Sequence, residues 1–400
     1  MPSWTPRSRK RSPRQSGAAV SPREVDVFYD RLLGRPPGDA EVEAQLQART
    51  LGELLDVIVG SEEFRLRWAT APARSYATRY VNMWTPENAR FTPAPGTISP
   101  DGVAEVGREG VLFLRGGTND NREQFAGRFE LPERWEQDWA QAVAVRTAEA
   151  ERLGVDCVWL TVPDKLACDG HLLTEPLPDA RRPVQQLLDE VGVPMLYPVA
   201  ELRAVRPRAF LRTDSHLALE GNRELARIVL EAFGAPAPPD EGLPQHEILA
   251  AGDLGGHFDP PLVEVFRRVA EAPMEVVEDN HVEIFAVGGH LGTRSVLRNA
   301  SAPDPRTIVV FGDSYGFGSG SAQGLAWWLA LALREVHFVW LPFGWDSSYI
   351  ERVKPDLVVV QGAERFCVRA PAPDSDTLRL GEETLRRRRG IDLGELGSPA

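Results

Sequence analysis

The stretch Thr307-Ile308-Val309-Val310-Phe311-Gly312-Asp313-Ser314-Tyr315-Gly316 decides the fold of this chain. Four β-prone residues, Ile308 to Phe311, run straight into Gly312-Asp313-Ser314; a Gly-rich run follows, and then a long apolar pattern of helical length. A short apolar run bounded by glycine reads as a buried strand, here one that ends in a tight loop and presents Ser314 at a helix entrance. A serine so placed is a candidate nucleophile. The rest of the chain must then supply a base, an acid that orients it, and donors for an oxyanion.

The same pattern repeats outward from this stretch. Strands are expected at 111–114, 155–162, 194–197, 307–311, 336–341 and 356–361, and helices at 133–153, 180–191, 219–233 and 322–335. Alternation of this kind predicts an α/β three-layer domain with a mostly parallel sheet, here spanning 105–370. Residues 235–306 are Pro-rich and read as an irregular insertion, and 371–400 as a polar, Arg-rich tail.

Residues 21–72 read as a small, separate all-helical domain. Ser21-Pro22-Arg23-Glu24 is a capping-box pattern with proline at the first helical position, and Val25, Phe28, Tyr29, Leu32 and Leu33 follow at helical spacing. Gly34 to Gly38 break that helix, Thr50-Leu51-Gly52-Glu53 opens a second, and Glu62-Glu63-Phe64 a third. The segments VFYDRLLGRPP (27–37) and LGELLDVIVGSEEF (51–64) resemble a bacterial helical domain related to phycobilisome linkers. That resemblance implies an adaptor and hence a protein partner; the residues alone are equally served by a helical lid. Residues 73–104 read as a connector. The tail 1–20, with Arg7, Arg9, Lys10, Arg11 and Arg14, reads as disordered.

With 400 residues, 42% of them hydrophobic, the chain can bury a sizeable core without staples, and a net charge of −13 argues against non-specific nucleic-acid binding. Cys157, Cys168 and Cys367 are too few for a disulfide framework, and Cys157 sits in a strand pattern as a small core residue. No His or Cys spacing suggests a metal site, and no cofactor is expected. No 18-residue apolar run and no apolar segment behind the basic N-terminus are present, so neither a membrane span nor a secretory signal is expected and the chain reads as cytoplasmic.

Of seven histidines, His171, His246, His257, His281, His290 and His337 have no arrangement that singles them out. His216 differs, because Arg212-Thr213-Asp214-Ser215-His216 lies between an extended segment and a helix. Side chains two apart in extended backbone face the same way, so Asp214 is placed to hold the imidazole that deprotonates Ser314. The Gly-x-Ser-x-Gly elbow of α/β-hydrolases is absent around Ser314.

Gly312-Asp313-Ser314 at a strand end resembles the first signature block of the SGNH (GDSL-type) hydrolase superfamily. Ordinary members carry the Asp-His block near the C-terminus, whereas here it precedes the serine by about a hundred residues. That permuted order is similar to the alginate O-acetyltransferase group (AlgX/AlgJ-like). Further segments resemble it: GREGVLFLRGGTND (107–120), TVPDK (161–165), LYPVAELRA (196–204), RTDSHLALEGN (212–222), GDLGG (252–256) and ERVKPDLVVVQGAERF (351–366). The resemblance implies an SGNH-like fold over 105–370 and a triad of Asp214, His216 and Ser314. Asp313, despite its closeness to Ser314, reads as a loop-structuring residue.

Oxyanion donors are expected at the Ser314 N–H and at Gly344, the glycine after the 336–341 strand, where no side chain obstructs the main chain. The superfamily's third block, Gly-x-Asn-Asp, is matched as a string by Gly117-Thr118-Asn119-Asp120. In fold order its place falls to Glu364 and Arg365 instead, and Asn119 is favoured as a turn residue over a donor. Arg365 is open to two readings, support of substrate or oxyanion, or a structural pair with Glu364. Tyr315 is read as lining the acyl pocket or as packing, and Lys165 as near the site.

The resemblance implies carbohydrate (exopolysaccharide) O-acetylation through an acetyl-serine, with a polysaccharide or oligosaccharide acceptor, acetyl arriving by way of a membrane-bound O-acyltransferase, and a periplasmic setting. No room is left for a C-terminal carbohydrate-binding module of the AlgX type. An acetylesterase with the same triad, and a non-catalytic scaffold tethered through the helical domain, remain the alternatives.

Overall fold

The computed structural model divides into two units, Met1–Asn82 and Met83–Ala400. The structure describes residues 22, 25, 29, 37–47, 57, 58, 61 and 93–388, less 118, 240–242, 271–272, 282–283, 285–289, 319–322 and 373. In the first unit a helix spans Asp39–Gln45, starting where Gly38 caps it in extended conformation. Val25, Tyr29 and Ile58 are buried, and Gln45 Nε2 donates to the Tyr29 hydroxyl at 3.2 Å. The remaining expectations for 1–72 lie outside the described residues.

The second unit is built on a seven-stranded sheet. In chain order the strands are β1 (Ala104–Val106), β2 (Leu112–Leu114), β3 (Asp156–Val162), β4 (Met195–Leu196), β5 (Gln245–Ala251), β6 (Val263–Val269), β7 (Glu275–Asp279), β8 (Arg294–Arg298), β9 (Asp304–Gly312), β10 (Leu333–Trp340) and β11 (Leu357–Ala363). The main sheet runs β4-β3-β11-β9-β10-β8-β7, with β4, β3, β11, β9 and β10 parallel and β8 and β7 added antiparallel at one edge. β9 is therefore the central strand, and Ser314 lies just past its C-terminal end. In open α/β sheets that edge is where chemistry is placed.

Alternation along β9 makes three layers. Ile308 and Val310 join a core with α3 (Leu219–Ala232) and α4 (Leu325–Ala332), while Val309 and Phe311 join another with α1 (Trp135–Leu153) and α5 (Ser347–Val353). α2 (Lys165–Asp169) follows β3 at the site end of the sheet. The α/β, mostly parallel architecture expected from the sequence is what forms.

Three expectations need correcting. Residues 235–306 are not irregular, since they supply the β5–β6 hairpin and the two strands that extend the main sheet, β7 and β8. The helix expected over 322–335 stops at Ala332, and Leu333 begins β10 with no intervening loop. Leu-Ala-Leu-Arg-Glu has good helix propensity, but pairing with β8 and β9 claims Leu333 onward. The polar tail opens with a helix, Thr377–Arg388, anchored where Thr377 N–H and Oγ1 donate to Asp346 Oδ2 at 2.8 and 2.6 Å.

Candidate active site

The loop after β9 is fixed by Asp313 and Gln361. Asp313 Oδ1 accepts from Tyr315 N–H (3.0 Å) and Gln361 Nε2 (2.8 Å), and its Oδ2 accepts from Ala363 N–H (2.6 Å). Gln361 Oε1 accepts from Asp313 N–H at 2.9 Å, so the two residues are locked from both sides. A Cβ on Gly312 would sit 2.3 Å from that same oxygen, which is why glycine ends the strand. Asp313 is thus the loop-structuring residue, and Ser314 is left half-buried at the turn.

Asp214 and His216 come together as the sequence proposes. Asp214 Oδ1 accepts from His216 N–H at 2.8 Å and lies 2.6 Å from His216 Nδ1. Burial alone would raise Asp214, but His216, through charge and both bonds, holds it well below the usual carboxylate range. Burial likewise works against an imidazolium at His216, yet Asp214 and then Asp253 raise it above the ordinary histidine value. His216 Nε2 is buried and has no hydrogen-bond partner. The imidazole ring lies 5.1 Å from the ring of Tyr315, the residue after Ser314, whose hydroxyl donates to Ser215 O at 2.8 Å. The Ser314 hydroxyl does not donate to Nε2 in this conformation.

The string Asp-x-His alone does not select this pair. It occurs also at Asp169-Gly170-His171 and at Asp279-Asn280-His281. The last makes the same two contacts, with His281 N–H and Nδ1 at 3.0 and 2.6 Å from Asp279 Oδ1, and its ring lies 5.5 Å from Phe317. Packing of the His216 ring beside Tyr315 is what ties the 214–216 pair to the serine.

No protein-family model matches the sequence, and neither does any curated protein. Solved structures do resemble it. One is a DHHW family protein from Eubacterium siraeum, at 13% identity and a TM-score of 0.45, covering 72% of this chain and 98% of that one. Another is the O-acetyltransferase domain of Pseudomonas putida AlgJ, at 14% identity and a TM-score of 0.41, covering 71% and 99%. Pseudomonas aeruginosa AlgX, at 14% and 0.40, covers 70% of this chain and 65% of its own.

The expected oxyanion donors fare unequally. Gly344 is withdrawn, because its N–H already donates to Leu341 O at 2.8 Å in a turn, and the neighbouring Phe343 N–H donates to Gln361 O at 2.8 Å. The Ser314 N–H donates to no described residue. Asn119 holds the turn position expected of it, and the cavity it lines includes neither Ser314 nor His216. That cavity, of about 670 Å³, is lined also by Leu341, Pro342 and Phe343 at the end of β10, and the Asn119 side-chain amide bonds to no described residue. Gln124 Nε2 fixes its main chain, donating to Asn119 O (2.6 Å) and to Arg365 O (3.0 Å).

Arg365 and Glu364 do not pair with each other. Arg365 Nη1 donates to Asp164 Oδ1 at 2.8 Å while its guanidinium lies over the Tyr315 ring at 5.5 Å. Glu364 instead accepts from Arg182 Nη1 (2.6 Å), Tyr197 Oη (2.8 Å) and Asp164 N–H (3.0 Å). Burial, opposed by Arg182, pushes Glu364 up to about 7, and burial, opposed by Arg365, raises Asp164. Asp164 Oδ2 is buried without a partner. This network backs Tyr315 and, through it, the imidazole.

Tyr315 and Lys165 do not line open space; they are 2% and 4% exposed. Lys165 Nζ donates to the main-chain carbonyls of Leu112 (2.9 Å), Arg212 (3.4 Å) and Asp214. Burial lowers it to about 8, partly offset by Glu264, Asp214 and Asp253. It is the clamp beneath the Asp214 loop. Glu264, which accepts from Arg212 N–H at 2.9 Å and from the Thr213 N–H and hydroxyl, holds the same loop from the hairpin.

Asp253 was not singled out from the sequence, although it sits in the quoted GDLGG segment. Asp214, His216 and Asp253 each bring a potential metal-ligand atom within 4.8 Å of one another. Their oxygens are engaged by N–H and O–H donors, which makes the group a hydrogen-bonded network.

Proposed function

We propose that the chain is a serine O-acyltransferase that acetylates a carbohydrate through Ser314, with His216 as base and Asp214 as its orienting acid. The observation that carries this is the partnerless, buried Nε2 of His216, opposite an Asp214-bonded Nδ1 and beside the loop that bears Ser314. Such an imidazole has its tautomer fixed, with Nδ1 protonated toward the carboxylate and Nε2 left as the basic lone pair.

The chemistry follows in two displacements. Ser314 Oγ passes its proton to His216 Nε2 as Oγ attacks the acetyl carbonyl carbon. The tetrahedral intermediate collapses, the donor's leaving oxygen takes the proton from His216, and acetyl-Ser314 remains. A sugar hydroxyl then gives its proton to His216 and attacks the acetyl-enzyme, releasing the sugar ester and restoring Ser314. The negative charge that develops twice on the carbonyl oxygen is met by the Ser314 N–H and the Asn119 side-chain amide, both without internal partners among the described residues. Acetyl and carbohydrate come from the sequence resemblance; serine acyl chemistry comes from the residues.

The test follows acetyl from an activated acetyl ester onto a panel of oligosaccharides and, in parallel, onto water. Acetylated sugar in excess over free acetate supports transfer. Free acetate alone turns the reading into an esterase. A folded chain whose Ser314 resists a fluorophosphonate probe overturns both and leaves a scaffold.

A further inference from the structure

We infer that Asp253 is a positioning residue of the site, a second carboxylate that fixes the Asp214–His216 pair and shares the charge of the imidazolium formed during turnover. The inference rests on His216 acting as the base of the proposed reaction.

Asp253 lies two residues past β5, on the hairpin, and reaches the 213–216 loop at Ser215. Its Oδ1 accepts from Ser215 N–H at 2.6 Å and its Oδ2 accepts from the Ser215 hydroxyl at 2.5 Å. Its own N–H donates to Asp214 Oδ2 at 3.0 Å, so the oxygen of Asp214 that does not face the imidazole is also held. Asp253 Oδ2 is 3.6 Å from His216 Nδ1, close enough for its carboxylate to act on the ring; burial and then Asp214 raise Asp253 itself, partly offset by His216 and Ser215. The approach leaves no room for a side chain at residue 252. A Cβ on Gly252 would lie 2.3 Å from Thr213 O and 2.4 Å from Asp214 Cβ. The hairpin is thus pressed onto the loop at a glycine, and the next residue supplies the carboxylate.

Among the described residues, few charged groups face His216. Asp214 and Asp253 favour its charged form, Arg365 opposes it, and Tyr315 contributes a ring face. Lys165 Nζ donates to the Asp214 main-chain carbonyl, and Asp214 and Asp253 act on Lys165 by charge. Two carboxylates against one distant guanidinium make a setting that welcomes the proton arriving from Ser314 and, at the same time, keeps the ring from turning away from Asp214.

The experiment is a histidine-labelled NMR titration of the full chain, reading His216 directly, so that it needs no turnover and fails independently of the proposed reaction. In Asp253→Asn, which keeps the shape and one acceptor oxygen, the His216 midpoint falls by about one unit, a roughly tenfold weaker hold on the proton. An unchanged His216 midpoint in folded Asp253→Asn overturns the inference, because a carboxylate that only braces Ser215 would leave the titration alone. Asp214→Asn gives a second arm. With Asp253 as the remaining neighbour, the His216 midpoint falls less in Asp214→Asn than in the double variant Asp214→Asn/Asp253→Asn. A single-variant midpoint equal to that of the double variant, which burial and Arg365 alone would set, overturns the inference.

Discussion

Gln361→Leu is the sharpest test of how Ser314 is presented. Gln361 is fully buried on β11 and faces the β9 loop, where its amide makes two bonds to one residue, accepting from Asp313 N–H and donating to Asp313 Oδ1. Leucine fills similar space but makes neither bond. An orphaned buried N–H costs about 1–3 kcal/mol, and a lost bond to a carboxylate about 1.5–3 kcal/mol. Recovered apolar burial returns a little, so the net loss is about 3–4 kcal/mol, a large part of the 5–15 kcal/mol typical of a domain. Asp313 keeps its bonds to Tyr315 and Ala363, so the loop loosens without being released. Urea unfolding of the full chain, following the transition of the second unit, gives the stability change, and the rate of fluorophosphonate labelling at Ser314 gives the presentation. Both fall together. A variant within about 1 kcal/mol of wild type that labels at the wild-type rate refutes the reasoning, since it would mean that the Asp313–Gln361 lock does not hold the loop.

Two further outcomes follow from the same geometry. His216 must be neutral to accept a proton and is raised above its ordinary value, so acylation climbs with pH through a midpoint above about 6.5; Asp214→Asn moves that midpoint down by about 1–3 units and lowers the plateau by about 10³–10⁴-fold, read from the pH profile of acetyl-ester turnover. Lys165, lowered to about 8 in the fold from an ordinary 10.5, is bound by more protons in the unfolded chain between those values, so stability rises with pH across that window; Lys165→Met removes this slope in denaturation curves, and a slope that survives contradicts the clamp.

The strands were legible where sequence forced them. Val-Val-Val at 358–360 and Ile-Val-Val-Phe at 308–311 have no stable place except a doubly covered parallel sheet. The strands of 235–306 were not, because Glu275-Val276-Val277-Glu278-Asp279 lies at a sheet edge and carries charge on both faces. At the site, Ser314, Asp214 and His216 were readable from element ends and spacing. Gly344 misled because a glycine's openness says nothing about whether its N–H is already taken, and only the turn to Leu341 decides that. Gln361 left a signal, a lone polar residue at the end of an apolar run. Asp164, Glu264 and Asp253 act through partners 201, 51 and 38 residues away, a proximity that no local pattern records.

The proposed reaction requires an acetyl group on Ser314. The wild-type chain, quenched in acid during reaction with an activated acetyl ester and then digested, should carry one acetyl on the peptide that contains Ser314. The adduct should be absent in Ser314→Ala and should fail to accumulate in His216→Ala. Acetylation elsewhere, or an unmodified Ser314 in a folded and fully reacted protein, would contradict it.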